Sequence, residues 1–192
     1  MADPLAAAVR ALERGHLVVY PTDTLYGLGA RAGDPRAVDR LVRAKRRPAD
    51  LPISVMVSSL EEVEGLLDLS EGGRRLLRRV LPGPFTAIGR LRPGAPVAPA
   101  LGTRAGTLGI RVPDHPVARE LARRVGPLTA TSANRHGEAP GATIPAIRRA
   151  LGADVAVYLP GGPAPSGRPS TLLDVTGDRP RPVARRPSGG RA

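Results

Sequence analysis

Residues 16–29 read HLVVYPTDTLYGLG and contain the pattern from which the fold is inferred. The apolar run at 16–20 predicts a strand, and the helical spacing over 4–14 predicts a helix before it. The polar loop at 21–24 then follows the end of an apolar strand, where α/β proteins commonly bind ligands. This order of elements predicts an α/β protein with a ligand site at the strand end.

Two glycines, Gly27 and Gly29, follow this loop and would allow a close approach of backbone. The glycine pattern comes with no dinucleotide fingerprint and no Walker A lysine, so it indicates neither of the standard nucleotide-binding folds. A turn that is simply capped by its threonine and aspartate side chains would give the same sequence. Both interpretations remain open at this point.

Hydrophobic periodicity predicts alternating helices and strands along most of the chain. Asp34-Pro35 forms a helix start, and Pro48 forces that helix to end near residue 45. Beyond residue 177, glycine, proline and arginine dominate, which indicates a loose end with or without one more strand. The other predicted helices lie at 59–67, 70–80, 114–125 and 143–150, and the other predicted strands lie at 53–57, 85–91, 107–112, 127–131, 154–158 and 171–175. The fold class is therefore α/β (α+β) with mixed strand order.

Composition limits the function classes. The chain has 192 residues, of which 41% are hydrophobic, and it contains no cysteine. We therefore expect one globular domain without disulfides, zinc ribbons or a cysteine nucleophile. The three histidines are scattered, so no metal centre is predicted. No apolar run reaches the roughly 20 residues that span a bilayer, and the N-terminus does not resemble a secretory signal, so we expect a soluble, cytoplasmic protein.

The formal net charge is +12 and the sequence pI is about 11.5. Such a charge attracts polyanions, and both nucleoside triphosphates and RNA satisfy this requirement. Only 2% of the residues are aromatic. Because readers of single-stranded RNA need aromatic stacking platforms, any RNA contact is expected to be mainly electrostatic.

Lys45 is the only lysine among 29 basic residues, and the other 28 are arginine. A surface ammonium exchanges freely for a guanidinium, whereas a compact charge set against one phosphate oxygen does not. In extended chain after the helix, Lys45 and Arg47 would project to one side and Arg46 to the other, which gives a phosphate clamp. The alternative is a leftover surface lysine that complements the helix dipole.

Two further clusters of polar residues follow strands. Thr107, Gly109 and Arg111 would share one side of the strand at 107–112, where the arginine could bind an anion. Ser132 and Asn134 would likewise share one side and offer a hydroxyl and an amide to a polar ligand. A solvated arginine in the first case, and a Ser/Asn turn in the second, are the simpler alternatives.

Six segments in this order resemble the YrdC-type threonylcarbamoyl-AMP synthases. The likeness extends from residue 15 to about 187, and the lysine of the family's K-x-R motif falls on Lys45. Each motif alone is modest, whereas the ordered set is specific. The segments are PTDTLYGL at 21–28, KRRP at 45–48, LPGPFT at 81–86, RVPDHP at 111–116, SAN at 132–134 and STL at 170–172.

The resemblance implies a twisted mixed β-sheet flanked by helices, with a basic concave face that binds ATP and L-threonine. It implies a catalytic domain at 1–187, a disordered tail at 188–192 and the short, single-domain form of the family. The implied reaction converts L-threonine, bicarbonate and Mg²⁺-bound ATP into threonylcarbamoyl-AMP and pyrophosphate. That product serves threonylcarbamoyladenosine modification of tRNA next to the anticodon, for which other proteins carry out the transfer.

The resemblance also assigns residues to roles. Lys45, Arg47 and Arg111 would be catalytic by neutralising phosphates and the threonine carboxylate. The implied ATP-binding residues are Lys45, Arg47, Ser54, Thr107, Ser132, Asn134 and Arg186. The implied threonine-binding residues are Thr22, Thr24, Tyr26, Arg111, Thr129 and Ser170.

The chain departs from the family pattern at a few positions, and two alternatives follow. Leu51 stands where relatives often have a polar or basic residue, Ser54 lies in an altered strand start, Leu81 replaces a tryptophan and Ser188 interrupts an Arg-Pro-Gly. A paralogue with another acyl substrate is one alternative. The other is a non-catalytic double-stranded RNA- or tRNA-binding maturation factor of the same fold, which the net charge favours.

Overall fold

Side-chain caps define where most of the helices begin. The computed structural model describes residues 3–101, 106–161 and 166–184, and these form six α-helices. Asp3, Asp34, Ser59, Ser70 and Thr143 each accept a hydrogen bond from a backbone N–H of the following first turn. The helices are α1 (Pro4–Glu13), α2 (Pro35–Ala44), α3 (Leu60–Leu66), α4 (Glu71–Val80), α5 (Pro116–Val125) and α6 (Ile144–Leu151), with short 3₁₀ turns at Pro99–Leu101 and Gly152–Asp154.

The strands of the described residues form two mixed sheets. They are β1 (Val18–Tyr20), β2 (Gly27–Gly29), β3 (Val55–Met56), β4 (Leu67–Asp68), β5 (Phe85–Leu91), β6 (Thr107–Arg111), β7 (Leu128–Thr129), β8 (Thr131–Ser132), β9 (Val157–Tyr158), β10 (Thr171–Asp174) and β11 (Arg181–Val183). The smaller sheet has the order β8-β2-β1-β9, and the larger has the order β11-β10-β5-β6-β3-β7 with β4 added on β5. Only the pairs β1–β9, β3–β6 and β5–β10 are parallel.

The two sheets meet at residue 130. Strand β7 pairs with β3 in the larger sheet, whereas β8 pairs with β2 in the smaller one. A single residue, Ala130, separates them, and its N–H donates to the carbonyl of Ser54 at 2.6 Å. The strand predicted at 127–131 is therefore divided between two sheets, which brings the start of β3 next to the segment 131–134.

Strand β1 is buried on both faces. Leu17 and Val19 belong to the larger apolar cluster, while Val18 and Tyr20 belong to a second cluster together with α1 and α5. This explains why the strand reads as an uninterrupted apolar run and does not alternate with polar residues. The loop that follows it is consequently attached to one of the most rigid parts of the fold.

The α/β class and the predicted helices are confirmed, with three differences in detail. Helix α5 begins at Pro116 and not at Asp114, and its N-cap His115 makes no side-chain cap bond. The structure has two sheets where one was expected. Strand β2 (Gly27–Gly29) was not predicted, because glycine has low β-propensity and its sequence gave no sign of a strand. Among the described residues, no helix is both long and apolar enough to cross a membrane.

Tyr20 explains both glycines of β2. A Cβ atom on Gly27 would lie 2.4 Å from Tyr20 Cζ, and one on Gly29 would lie 2.9 Å from Tyr20 Cε1. The ring is 1% exposed, and its hydroxyl donates to the carbonyl of Thr129 at 2.9 Å. The space left by the glycines is therefore filled by the protein's own tyrosine, whereas the sequence had suggested that it accommodates a ligand.

Replacement of Gly27 by alanine is expected to lower the free energy of unfolding by roughly 1–3 kcal/mol, because the fixed Tyr20 ring cannot move away. The matched control is Gly65→Ala. Gly65 lies on the exposed face of α3 with no atom within 4 Å of an added Cβ. The free energy of unfolding of this variant should therefore rise by up to about 1 kcal/mol. Urea unfolding of both variants checks the prediction, and equal stabilities would contradict it.

Candidate active site

Lys45 is buried and bound to two backbone carbonyls. It is the C-cap residue of α2 and is only 2% exposed. Its Nζ donates to the carbonyl oxygens of Ser132 and Asn134, each at 2.5 Å, and its own carbonyl accepts from the N–H of His136 at 2.7 Å. The alternative of a leftover surface lysine is therefore wrong. The lysine fastens the end of α2 to the segment 132–136.

The chain reverses direction immediately after Lys45. Arg46 has φ of 50°, the left-handed conformation that normally requires glycine. The N–H of Arg47 donates to the carbonyl of Val42 and the N–H of Arg46 to that of Arg43, which together form a Schellman motif. The backbone here is therefore not the extended chain from which Lys45 and Arg47 were expected to share one side; Arg46 is exposed and Arg47 is half-buried.

Burial, and to a smaller extent the positive charge of Arg47, lower the pKa of Lys45 to about 7. The two carbonyl acceptors favour the ammonium form and oppose this shift. Arg47 donates from Nη2 to the carbonyl of Pro52 at 2.9 Å, while its buried Nε has no hydrogen-bond partner in the described part of the chain. Burial also lowers the pKa of Arg47, while the Asp50 carboxylate opposes that change, and a bound anion would stabilise the charged form of both residues.

Arg111, at the end of β6, forms the second cationic centre. Its Nη2 donates to Asp23 Oδ1 at 2.6 Å and its Nη1 donates to Thr24 Oγ1 at 2.8 Å. The guanidinium is largely buried, and burial lowers its pKa while the Asp23 carboxylate opposes that change. Its Nε and Asp23 Oδ2 are both buried, with no hydrogen-bond partner among residues 3–101, 106–161 and 166–184.

The loop between β1 and β2 is held by its own hydroxyls. Thr22 Oγ1 donates to the carbonyl of Leu25 at 2.6 Å and accepts from the N–H groups of Thr24 and Leu25. The turn interpretation therefore applies to Thr22, while Thr24 and Asp23 of the same loop contact Arg111. A capped turn and a polar site are combined in one loop.

Tyr26 is the last residue of this loop, and Thr129 lies in β7. Burial raises the pKa of Tyr26, whereas a hydrogen bond from the backbone of Gly161 opposes that shift. The Thr129 hydroxyl accepts from the N–H of Ala30 at 2.9 Å and donates to the carbonyl of Leu28 at 3.1 Å. Thr129 is completely buried, so in this structure its hydroxyl joins β7 to the end of β2.

The loop at 21–26 also connects the two cationic centres. Thr24 and Asp23 contact Arg111, while the carbonyl of Tyr26 accepts from the N–H of Ala133 at 2.8 Å. Ala133 lies between the two residues whose carbonyls bind Lys45. The structure thus links the predicted sites around Arg111, Lys45 and 132–134 through a series of hydrogen bonds that runs along the loop at 21–26.

Asn134 is 8% exposed. Its Nδ2 donates to the carbonyls of Arg135 and Glu138, at 2.9 and 2.7 Å, which is the turn that the simpler interpretation predicted. Its Oδ1 is buried and has no hydrogen-bond partner within the described residues. The amide therefore stabilises a turn and still has an oxygen available to accept a hydrogen bond.

Small hydroxyls surround Gly109 on β6. A Cβ atom there would lie 2.6 Å from Ser54 Oγ and 3.2 Å from Thr86 Cγ2, so glycine leaves room for both side chains. Ser170 lies next to them, with its Oγ 2.7 Å from Thr86 Oγ1. Thr107 lies on the same strand as Gly109 and pairs with Arg90 of β5. Arg186 lies outside the described residues.

Comparison with known proteins gives the family. The Sua5/YciO/YrdC family model, described as telomere recombination, matches residues 10–186. The chain belongs to the Sua5/YciO/YrdC family.

Two relatives and one solved structure illustrate the likeness of this Sua5/YciO/YrdC chain. A Mycobacterium tuberculosis protein, provisionally named a threonylcarbamoyl-AMP synthase, is 43% identical over 178 residues, which is 92% of this chain and 81% of that protein. The threonylcarbamoyl-AMP synthase of Vibrio vulnificus is 34% identical over 180 residues, which is 91% of this chain and 95% of that enzyme. P. abyssi Sua5 complexed with L-threonine superimposes with a TM-score of 0.85 at 31% identity, and the match covers 94% of this chain but only 54% of that longer one.

Sequence reasoning did not assign Asp23 and Thr86 to the site. Asp23 was part of the polar loop at 21–24 but was given no role, although a buried Arg111 requires a counter-charge and this polar loop contains one. Thr86 lies in the quoted motif LPGPFT without a role. Both belong to the site only because of contacts across more than 80 residues of sequence.

An open groove of about 670 Å³, bordered by Arg31, Pro96 and Val125, contains none of the predicted site residues. We base the site on the clustered cations, because the groove has no comparable set of buried polar groups. No group of three His, Cys, Asp or Glu side chains that could hold a metal occurs in the described part of the chain.

The Asp23–Arg111 ion pair should contribute strongly to stability, because removing one member leaves a buried charge uncompensated. Asp23→Asn is expected to lower the free energy of unfolding by roughly 3 kcal/mol. The control, Glu71→Gln, breaks a pair whose side chains are 75% and 65% exposed and should cost less than about 1 kcal/mol. Urea unfolding measures both, and losses of equal size would show that the Asp23 pair is screened by solvent.

Proposed function

We propose that this protein is a threonylcarbamoyl-AMP synthase, a nucleotidyltransferase that forms threonylcarbamoyl-AMP and pyrophosphate from L-threonine, bicarbonate and ATP. The observation that carries the proposal is the pair of linked cationic centres, Lys45 with Arg47 and Arg111 with Asp23. Family membership and the names of the relatives point to the same activity. They favour this enzyme over the RNA-binding factor that net charge alone permits.

The chemistry explains why cations are needed. The neutral amine of threonine attacks the carbon of bicarbonate, and loss of water leaves a carbamate. A carbamate oxygen then attacks the α-phosphorus of ATP, and the bond to the pyrophosphate oxygen breaks. Both reactants are anions, so the protein must hold them together and neutralise their charge.

We assign the ATP phosphates to Lys45 and Arg47. An ammonium group has three donors, and the carbonyls of Ser132 and Asn134 take two of them. The third remains for a phosphate oxygen. The side chains proposed to complete the nucleotide site are Ser54, Thr107, Ser132, Asn134 and Arg186.

We assign L-threonine to the second centre. Arg111 would bind the threonine carboxylate. That carboxylate must then share the Arg111 guanidinium with Asp23 or displace Asp23 from it. Thr129 supports this site from behind, since its hydroxyl is bonded to the backbone. The other residues proposed to form the threonine pocket are Thr22, Thr24, Tyr26 and Ser170.

Mg²⁺ is proposed to enter together with the ATP that Lys45 and Arg47 would hold, because this ion keeps several of its waters and needs few protein ligands. It would neutralise charge on the leaving pyrophosphate.

The product is proposed to pass to tRNA threonylcarbamoyl-transferring proteins in the cytoplasm. The net charge of +12 is proposed to concentrate nucleotide near the protein, and direct contact with double-stranded RNA or tRNA is compatible with it.

The direct test measures pyrophosphate release while ATP, L-threonine and bicarbonate are omitted one at a time, with mass spectrometry of the adenylate. We expect release only when all three are present. Release without threonine, or preference for another amino acid in competition, would replace the proposal by the paralogue alternative. Salt-sensitive RNA binding without any turnover would support the RNA-binding alternative.

Loss of the Lys45 ammonium should abolish most of the activity. Lys45→Ala is expected to reduce kcat/KM on the order of 100- to 1000-fold, as for other preorganised charge contacts. Lys45→Arg should not restore it, because a planar guanidinium cannot place two donors against these carbonyls in the same volume. The control is Arg46→Gln, which removes the exposed neighbouring cation and should retain near-normal kcat/KM. Steady-state kinetics on variants with verified thermal unfolding would test this, and an active Lys45→Ala enzyme would contradict the mechanism.

A further inference from the structure

His115 is a half-buried histidine for which the proposed chemistry has no role so far. It is the N-cap residue of α5, yet its ring makes none of the hydrogen bonds by which a cap side chain binds the first turn. Its Nδ1 is buried and has no hydrogen-bond partner in the described part of the chain. A buried polar atom without a partner costs free energy, so a ligand group that bonds to this nitrogen would bind favourably.

His115 belongs to the Arg111 centre. The two residues are four positions apart, at the end of β6 and at the start of α5. Burial lowers the pKa of His115, while the carboxylates of Asp23 and Asp114 oppose that change. A carboxylate has this effect only on a ring that lies nearby, and Asp23 also binds Arg111 at 2.6 Å. Arg111, Asp23 and His115 therefore form one cluster at the carboxyl end of β6.

Buried side-chain atoms without a partner are concentrated in this cluster. Five such atoms occur among the described residues, and three of them are Asp23 Oδ2, Arg111 Nε and His115 Nδ1. The carboxylate oxygen and the imidazole nitrogen can both accept a hydrogen bond, and an ammonium group donates three. In L-threonine the ammonium group lies one carbon away from the carboxylate that Arg111 would bind. The two unpartnered acceptors therefore match the group that threonine presents beside its carboxylate.

We propose that His115 is a catalytic residue, whose Nδ1 takes a proton from the α-ammonium group of bound L-threonine while the Asp23 carboxylate holds that group beside the ring. This inference rests on the proposed function. Asp23 would keep its Oδ1 on Arg111 and offer Oδ2 to the ammonium. His115 would carry its own proton on Nε2, which leaves Nδ1 as the acceptor. Because burial lowers the pKa of His115 below the usual value of about 6.5, the ring is neutral at pH 7 and able to accept.

This proton transfer supplies what carbamate formation needs. The ammonium form of threonine has no lone pair with which to attack carbon. His115 would take the first proton of the ammonium as the nitrogen attacks the carbon of bicarbonate. The second proton leaves with the hydroxyl group of bicarbonate as water, and the third stays on nitrogen. The products are the carbamate, water and the imidazolium of His115, which Asp23 would stabilise until its proton passes to solvent.

A binding experiment tests whether His115 contacts threonine. Labelling with ¹⁵N-histidine gives ring signals for the three histidines, and His115→Gln assigns one set by its loss. Addition of L-threonine should shift the ring signals of His115. Those of His16 should stay unchanged, because His16 is exposed and bonded to Arg40. Threonine that binds without shifting the His115 signals would overturn the inference.

A rate comparison tests the proton transfer itself. His115→Gln keeps a hydrogen-bond acceptor but cannot take up a proton at neutral pH. At pH 7 we expect kcat/KM for L-threonine to fall on the order of 100-fold, while threonine affinity measured by calorimetry changes less than about threefold. The defect should shrink as the pH rises toward about 9, because threonine then supplies its own neutral amine. Titration of Lys45 affects both enzymes equally, so it cancels in the ratio of their rates at each pH.

The matched control is His16→Gln, which should follow the wild type at every pH. A His115→Gln defect that stays constant with pH, or that is matched by an equal loss of threonine affinity, would overturn the inference and leave the proposed function in place. So would a His115→Gln enzyme as active as the control. Threonine that shifts the His115 signals without any pyrophosphate release would reject the proposed reaction and retain the contact, whereas no threonine binding by the wild type would reject both.

Discussion

The site depends on one ammonium group held between two backbone carbonyls. Lys45 Nζ binds the carbonyls of Ser132 and Asn134 at 2.5 Å, inside the protein, and this fixes the end of α2 against the end of β8 and the residues that follow it. Three donors on one compact nitrogen satisfy both carbonyls and leave one N–H. A planar guanidinium cannot repeat that geometry, which explains why one lysine persists in a chain with 28 arginines.

The rest of the site concentrates positive charge at a cost in stability. Burial and the charge of Arg47 lower the pKa of Lys45, Arg46 adopts a left-handed backbone without being glycine, and the buried Arg111 is balanced by Asp23. Strained backbone and uncompensated charge are commonly retained where a ligand relieves them. Two anionic substrates that must react with each other are ligands of this kind. The same features that would destabilise an empty site would hold a carbamate next to a polyphosphate.

Local sequence predicted much of the fold. Strand β5 begins and ends where its apolar pattern does, and the Asp34 cap and Pro48 bracket α2, because caps and prolines act within a few residues. Lys45 stood out by residue count alone. Tertiary contacts decided the rest: Gly27 and Gly29 lie in a strand that packs against the Tyr20 ring, and the crossing at Ala130 divides one predicted strand between two sheets. The partners of Asp23 and Thr86 lie 88 and 84 residues away, which no local pattern reveals.

The single lysine makes the central claim directly measurable. Labelling with ¹³C-lysine gives an NMR spectrum of Lys45 alone, and its Cε shift against pH reports the state of the ammonium. The account predicts a pKa near 7 in the free protein, far below the usual value of about 10.4 for lysine. It also predicts that ATP raises this pKa, since a nearby phosphate favours the charged form. An ordinary lysine pKa that does not respond to ATP would contradict it.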